Sequence, residues 1–160
     1  MTKAHPGMSI GHVHLKVTDL NRSIAFYRDV MGLDVTQSYG DQAAFLSAGG
    51  YHHHIGLNTW FSKNGPPAPR RSAGLFHVAF LYPDRAALAQ AFKSVLDAGV
   101  EIEGAADHGV SEAIYFSDPD GNGIEIYRDR PEGEWPRDAN GQLDMVNAPL
   151  DLEALLLEVA

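Results

Sequence analysis

Three side chains in this sequence could together bind a divalent metal ion: those of His12, His77 and Glu125. Each histidine opens a stretch rich in β-branched and aromatic residues, HVHLKV and HVAFLY, which is typical of a strand. Glu125 alternates with Ile124 and Ile126, so in a strand its side chain points away from two apolar neighbours. A buried carboxylate is costly unless it has a charged partner, and a metal ion is such a partner.

Two histidines and one carboxylate on one face of an octahedron leave the remaining coordination positions open. This set is typical of non-haem Fe(II) sites, although Mn(II), Zn(II) or Ni(II) can occupy similar ligands. Taken singly, each residue has an ordinary alternative. A lone histidine in a strand is more often structural, and a lone glutamate in a terminal strand usually faces solvent.

An internal repeat favours the metal site over those alternatives. The segments that begin at His12 and His77 align at a constant offset of 65 residues, which also pairs Asp19 with Asp84. Apolar positions recur at the same offset. A histidine repeated at the start of both copies is hard to explain by packing alone.

Each copy predicts a strand, a helix capped by aspartate, and three further strands. The helices are expected at about residues 20–31 and 85–98, with Gly32 and Gly99 as left-handed caps after them. Their inward positions are predicted to be Leu20, Ile24, Tyr27 and Met31 in the first, and Leu88, Phe92, Val95 and Leu96 in the second. The sequence Asp118-Pro119-Asp120-Gly121 indicates a turn. The fold class is therefore α+β, with two βαβββ units forming an open, barrel-like cleft.

The domain organisation follows from these units. We expect one domain over residues 1–160, with βαβββ units at 8–61 and 74–130. The proline- and glycine-rich residues 62–73 form a loop between them. Residues 131–160 form a C-terminal tail that ends in a short amphipathic helix, LDLEALLLEV, expected to pack on the body or on a second subunit.

The composition excludes several classes of protein. There is no cysteine, so disulfides, thiolate ligands and a cysteine nucleophile are excluded. A net charge of −9 argues against nucleic acid as a partner. No apolar run is long enough to cross a membrane, and no signal-peptide pattern is present, which predicts a cytoplasmic protein.

The segments IGHVHLKVTDLNRSIAFYRDVMGL, GLFHVAF and YFSDPDGNGIEIYRDRP resemble the vicinal oxygen chelate superfamily, which includes glyoxalase I, fosfomycin-resistance proteins and type I extradiol dioxygenases. The resemblance covers most of residues 8–136. It implies the vicinal oxygen chelate fold, with metal ligands at His12, His77 and Glu125. Dimers are common in this superfamily, so a homo-oligomer is also expected.

The finer resemblance is to catechol 2,3-dioxygenases, through DHGVSEAIYFSDPDGNGIEIYRDRP and LSAGGYHHHIGLNTW. It implies an enzyme in which Fe(II) chelates an aromatic ortho-diol and activates O₂. It further implies that His53 is the acid–base residue, and that His108 and Tyr115 form hydrogen bonds to the substrate. His14 is expected to line the pocket without being a ligand.

The sequence departs from these enzymes in two ways. Many have two domains where this chain has only the equivalent of the metal-bearing one, and the loop before His77 is longer than in many relatives. Which of His52, His53 and His54 faces the metal stays open, because adjacent strand residues alternate sides. The alternative functions are glyoxalase-like isomerisation, thiol transfer and simple binding of a small molecule.

Overall fold

The structure is a computed structural model that describes residues 3–159, so the last residue of the predicted tail, Ala160, lies outside the described part. The chain divides into two compact units, Met1–Pro67 and Ala68–Ala160. The division falls inside the loop predicted at residues 62–73. Each unit has its own sheet and its own helix against that sheet.

The first unit is a four-stranded sheet covered by one short helix. Its elements are β1 (Val13–Lys16), α1 (Leu20–Ala25), a π-helical turn (Phe26–Val30), β2 (Asp34–Tyr39), β3 (Ala43–Ser47) and β4 (Ile55–Asn58). The strand order is β1-β4-β3-β2, with β1 and β4 parallel. Asp19 caps α1 by accepting a hydrogen bond from the Arg22 amide, as its position before the helix predicts.

The second unit repeats this arrangement and adds an edge strand and a helix. Its elements are β5 (Val78–Tyr82), α2 (Arg85–Asp97), β6 (Ile102–Asp107), β7 (Ser111–Ser117), β8 (Gly123–Asp129), β9 (Ala148–Pro149) and α3 (Leu152–Leu156), with 3₁₀ turns at Glu132–Glu134 and Leu157–Val159. The order is β5-β8-β7-β6-β9, again with the first and last strands of the βαβββ unit, β5 and β8, parallel. The Asp84 carboxylate caps α2 by accepting from the Ala87 amide at 2.8 Å.

The predicted α+β class with two βαβββ units is confirmed. Gly32 (φ +72°) and Gly99 (φ +70°) adopt the left-handed conformation expected after each helix. The prediction for Leu96 is wrong, because this residue lies one position round the helix from the buried Val95 and is 39% exposed. Both histidine-led strands begin one residue later than predicted, so His12 and His77 lie just before β1 and β5.

The C-terminal tail belongs to the second unit. Leu155 of α3 is fully buried where α3 contacts α2, so the amphipathic helix packs on the body. Arg85 at the start of α2 donates to the Ala154 carbonyl and to Glu158, which fixes the helix further. No helix among residues 3–159 is both long enough and apolar enough to cross a membrane.

Candidate metal centre

In the second unit, His77 and Glu125 come together because β5 and β8 are parallel neighbours. Val78 pairs with Ile124 and Ala79 with Glu125, so His77 enters β5 beside the strand that carries the carboxylate. The Nε2 atom of His77 lies 2.9 Å from Oε2 of Glu125. Ile124 and Ile126 are buried, while the Glu125 side chain is 13% exposed on the opposite face, as the alternation in the sequence predicts.

A glycine permits this close approach. A Cβ atom on Gly123 would overlap the Phe76 carbonyl oxygen and would lie 3.2 Å from the Cα of His77. Because Gly123 has no side chain, β5 can begin directly against β8. Gly123 was not identified from the sequence, where it is one of two glycines around a turn.

Glu125 is also linked to Tyr115 and His108. The Tyr115 hydroxyl lies 3.3 Å from Oε1 of Glu125 and 2.8 Å from Nε2 of His108. Burial, the charge of Glu125 and the hydrogen bond to it raise the pKa of Tyr115 to about 12. Tyr115 therefore remains protonated near neutral pH and is a hydrogen-bond donor rather than a base.

In the first unit, the His53 ring lies against His12, with ring centroids 4.3 Å apart. Its Nδ1 atom is 2.8 Å from Nδ1 of His52. Nδ1 of His54 instead lies 2.9 Å from the Ser47 hydroxyl. Burial lowers the pKa of His53, and the charge of neighbouring histidines, His12 first, lowers it further. Of the three adjacent histidines, His53 is thus the one with a ring contact to His12.

The two units differ at the carboxylate position. In the first unit, the residue pair equivalent to Ala79 and Glu125 is His14 and Gly56. The His14 ring fills the space of the missing side chain, since a Cβ on Gly56 would lie 2.9 Å from it. Burial and the charge of His12 lower the pKa of His14. The repeat therefore supplies a histidine twice but a carboxylate only once.

The donor set of the second unit fits a divalent cation. Adjacent ligand atoms of an octahedral ion with bonds of about 2.1 Å are separated by about 3 Å, and the His77 and Glu125 atoms are 2.9 Å apart. Nδ1 of His77 is buried and has no hydrogen-bond partner among residues 3–159. Within residues 68–159, no third histidine or acidic side chain joins the pair in an arrangement that could hold a metal.

The structure thus assembles His77, Glu125, Tyr115 and His108 in the second unit, and His12 and His53 in the first. Their ligand and catalytic roles stay predictions. The sequence reasoning missed Val146, whose backbone contacts His108. No signal in the side-chain pattern could have found it, because the contact is made by main-chain atoms.

This fold and motif have counterparts among known proteins. The family model described as the Glyoxalase/Bleomycin resistance protein/Dioxygenase superfamily matches residues 9–126. The chain belongs to this superfamily. The match confirms the resemblance drawn from the opening strand–helix segment and from DPDGNGIEIY.

Two curated members of the superfamily show how far the similarity extends. The chain is 42% identical over 159 residues to catechol-2,3-dioxygenase of Bacillus subtilis (strain 168), covering 99% of this chain and 54% of that protein. The chain thus spans about half the length of that relative. It is 32% identical to metallothiol transferase FosB of Staphylococcus epidermidis (strain ATCC 12228 / FDA PCI 1200), covering 74% of this chain and 80% of that protein.

Solved structures of superfamily proteins share the fold. A glyoxalase/dioxygenase from Nostoc punctiforme superimposes with a TM-score of 0.67 at 22% sequence identity, covering 82% of this chain and 99% of that one. At this level of identity the likeness concerns the fold alone. The activity must be argued from the side chains of this chain.

Proposed function

We propose that this chain is an extradiol dioxygenase, which cleaves the ring of a catechol-type substrate with O₂. The observation that carries the proposal is the hydrogen-bonded chain from His108 through Tyr115 to Glu125. A carboxylate that only holds a metal needs no tyrosine and histidine in series beside it. Such a series supplies and accepts protons where the charge on substrate oxygens changes.

The proposed metal ligands are His12, His77 and Glu125. The spacing of His77 and Glu125 supports two of the three. His12 is proposed as the third because it precedes β1 as His77 precedes β5. Gly56 supplies no second carboxylate at the position equivalent to Glu125.

Fe(II) is the proposed metal, with Mn(II), Zn(II) or Ni(II) as alternatives; when bound, it would hold both diol oxygens and bring O₂ beside them. Extradiol cleavage breaks the ring C–C bond next to the diol and places both atoms of O₂ in the product, as a carboxylic acid and a carbonyl group. His53 is proposed to take a proton from the diol. Tyr115 and His108 are proposed to form hydrogen bonds with the substrate.

Thiol addition is the second candidate function. It is favoured by the 32% identity to FosB, which this chain matches over 80% of that protein's length. It needs the same three ligands but gives no role to the link between His108 and Tyr115. Glyoxalase-like isomerisation uses the same scaffold, and a binding protein without chemistry would bind its ligand independently of metal.

The experiment measures oxygen uptake after anaerobic loading with Fe(II) and addition of catechol or simple substituted catechols. We expect uptake together with a yellow ring-opened product. His77→Ala should abolish both, whereas His5→Ala should retain them, because His5 is exposed and its side chain accepts a hydrogen bond from the nearby Gly7 amide.

Two results would count against the proposal. If Fe(II) binds in a His77-dependent way but no catechol supports uptake, the dioxygenase assignment is wrong and thiol addition becomes the better candidate. If His77→Ala binds Fe(II) as tightly as the parent protein, the metal site itself is wrong.

A further inference from the structure

The segment that follows β8, residues 131–149, returns to the edge of the second sheet beside His108. We refer to it as the return segment; it lies beyond residues 9–126, which the superfamily model matches. It forms a hairpin closed by the Asp144 amide and the Pro136 carbonyl at 2.9 Å. It then pairs with β6 through β9, where Ala148 lies opposite Asp107. The return segment is therefore attached on both sides of its contact with His108.

Two hydrogen bonds join the return segment to His108, and both involve Val146. The Val146 amide donates to the His108 carbonyl at 3.1 Å. The His108 ring atom Nδ1 lies 3.1 Å from the Val146 carbonyl oxygen. A carbonyl oxygen can only accept a hydrogen bond, so Nδ1 must carry the proton in this contact. In a neutral imidazole, Nε2 is then the acceptor.

The acceptor character of Nε2 decides where the Tyr115 proton points. The Tyr115 hydroxyl has one proton and two acceptors within reach, Nε2 of His108 at 2.8 Å and Oε1 of Glu125 at 3.3 Å. With Nδ1 protonated, the hydroxyl donates to His108 along the shorter contact. With the opposite tautomer, Nε2–H would donate to Tyr115 and the hydroxyl proton would go to Glu125.

We infer that the return segment is a positioning element: the Val146 carbonyl fixes the tautomer of His108 and so directs the Tyr115 hydroxyl to His108, away from Glu125. The consequence for catalysis rests on the proposed function. There, Glu125 keeps both oxygens free of the tyrosine proton for the metal. The tautomer itself is a property of the chain without metal or substrate.

Gly109 offers a substitution that separates the return segment from His108. A Cβ on Gly109 would lie 2.8 Å from Pro136 and 3.2 Å from the Val146 side chain, so Gly109→Ala should push the segment away. Gly109 has φ +73°, and alanine is strained at such an angle wherever it occurs. Gly99→Ala is the matched control, because Gly99 has φ +70°, open space around it and a position outside the return segment.

The test is a long-range ¹H–¹⁵N correlation spectrum of metal-free protein labelled at histidine, in buffer of about pH 9, where neutral imidazoles predominate. His108→Gln identifies the signals of His108. We expect the Nδ1–H tautomer in the parent protein and in Gly99→Ala. In Gly109→Ala we expect a shift towards Nε2–H or a mixture. Val146→Pro, which removes the amide that donates to the His108 carbonyl, should shift the tautomer in the same direction and serves if Gly109→Ala does not fold.

The inference is overturned if His108 of the parent protein is Nε2–H, or if a folded Gly109→Ala or Val146→Pro variant keeps the parent tautomer. Oxygen uptake is measured separately on Fe(II)-loaded protein, where Gly109→Ala should lower kcat relative to Gly99→Ala at equal metal content. A parent protein that takes up no oxygen would contradict the proposed function alone, since the spectrum still decides the role of the return segment.

Discussion

The Nε2 atom of His77 lies 2.9 Å from Oε2 of Glu125, a contact made by the first and last strands of one βαβββ unit. These strands are distant in sequence but are parallel neighbours in the sheet. The contact therefore depends on how closely β5 approaches β8. Gly123, two residues before Glu125, permits this approach because a side chain there would overlap the Phe76 carbonyl.

Gly123→Ala should weaken metal binding. The added methyl group overlaps the Phe76 carbonyl and crowds His77, so β5 must move away from β8. We expect a loss of about 1–3 kcal/mol in the free energy of unfolding, the usual cost of overpacking, together with weaker binding of Mn(II), measured by calorimetric titration. Gly133→Ala is the control, because nothing lies within 4 Å of a Cβ there. Unchanged Mn(II) affinity in Gly123→Ala would show that metal binding does not require the close approach of β5 to β8.

Tyr115→Phe should lower turnover without loss of metal. The hydroxyl lies between His108 and Glu125, and removal of one positioned donor typically costs about 100-fold in kcat. The measurement is oxygen uptake at saturating catechol, with iron content determined on the same sample. Tyr39→Phe, on an exposed tyrosine of β2, should behave as the parent protein. Equal turnover in both variants would remove Tyr115 from the mechanism.

Glu112→Gln should destabilise the second unit. This buried carboxylate accepts from Arg128 at 2.7 Å and from Arg85 at 3.2 Å, and Arg130 lies 3.4 Å away. Removing its charge leaves three guanidinium groups with less negative charge beside them. Breaking a buried ion pair typically lowers the free energy of unfolding by about 3 kcal/mol. Urea unfolding measures this change, with Glu153→Gln on the exposed side of α3 as control. Equal midpoints for the two variants would contradict the assigned role of the cluster.

Asp107 should make folding sensitive to acid. Burial alone would raise the pKa of Asp107, but the Gly109 amide and the Arg130 side chain outweigh it and hold the pKa below its usual value. A carboxyl group whose pKa is lower in the folded state stabilises the protein at pH values above its unfolded-state pKa of about 3.9. This stabilisation is lost as the pH falls through the folded-state pKa.

The check is urea unfolding between about pH 3 and pH 7. Asp107→Asn should be less stable than the parent protein at pH 7, by about 1.5–3 kcal/mol, the usual contribution of a hydrogen bond to a charged group. It should also lose less stability on acidification. Parallel stability curves for the two proteins would show that Asp107 does not contribute to the acid sensitivity.

Features of the sequence that act locally were predicted correctly. Asp19 and Asp84 cap their helices because the capping bond reaches only three residues along the chain. Gly32 and Gly99 take positive φ because the residue after a helix favours a left-handed cap. The alternation of Glu125 with apolar neighbours predicted which face of β8 carries its side chain, because successive side chains of a strand point to opposite faces.

Predictions of helix features that depend on packing were less accurate. The first helix was expected to run regularly to Met31, but it becomes a π-helical turn at Phe26. Leu96 was expected to be buried, but Val95 is buried and its neighbour Leu96 is exposed. Periodicity defines a stripe on a helix, whereas the edge of that stripe depends on the width of the surface it meets.

The sequence by itself determined the superfamily, the two βαβββ units and the residue types available for a metal. It did so because the repeat, the caps and the strand alternation are short-range signals. Only the tertiary structure decided that His77 meets Glu125 across parallel strands, that His53 rather than His54 lies against His12, and that the Val146 carbonyl reaches His108. Each of these contacts joins residues from different elements, and the last is made by a main-chain atom, which every residue shares and no sequence pattern distinguishes.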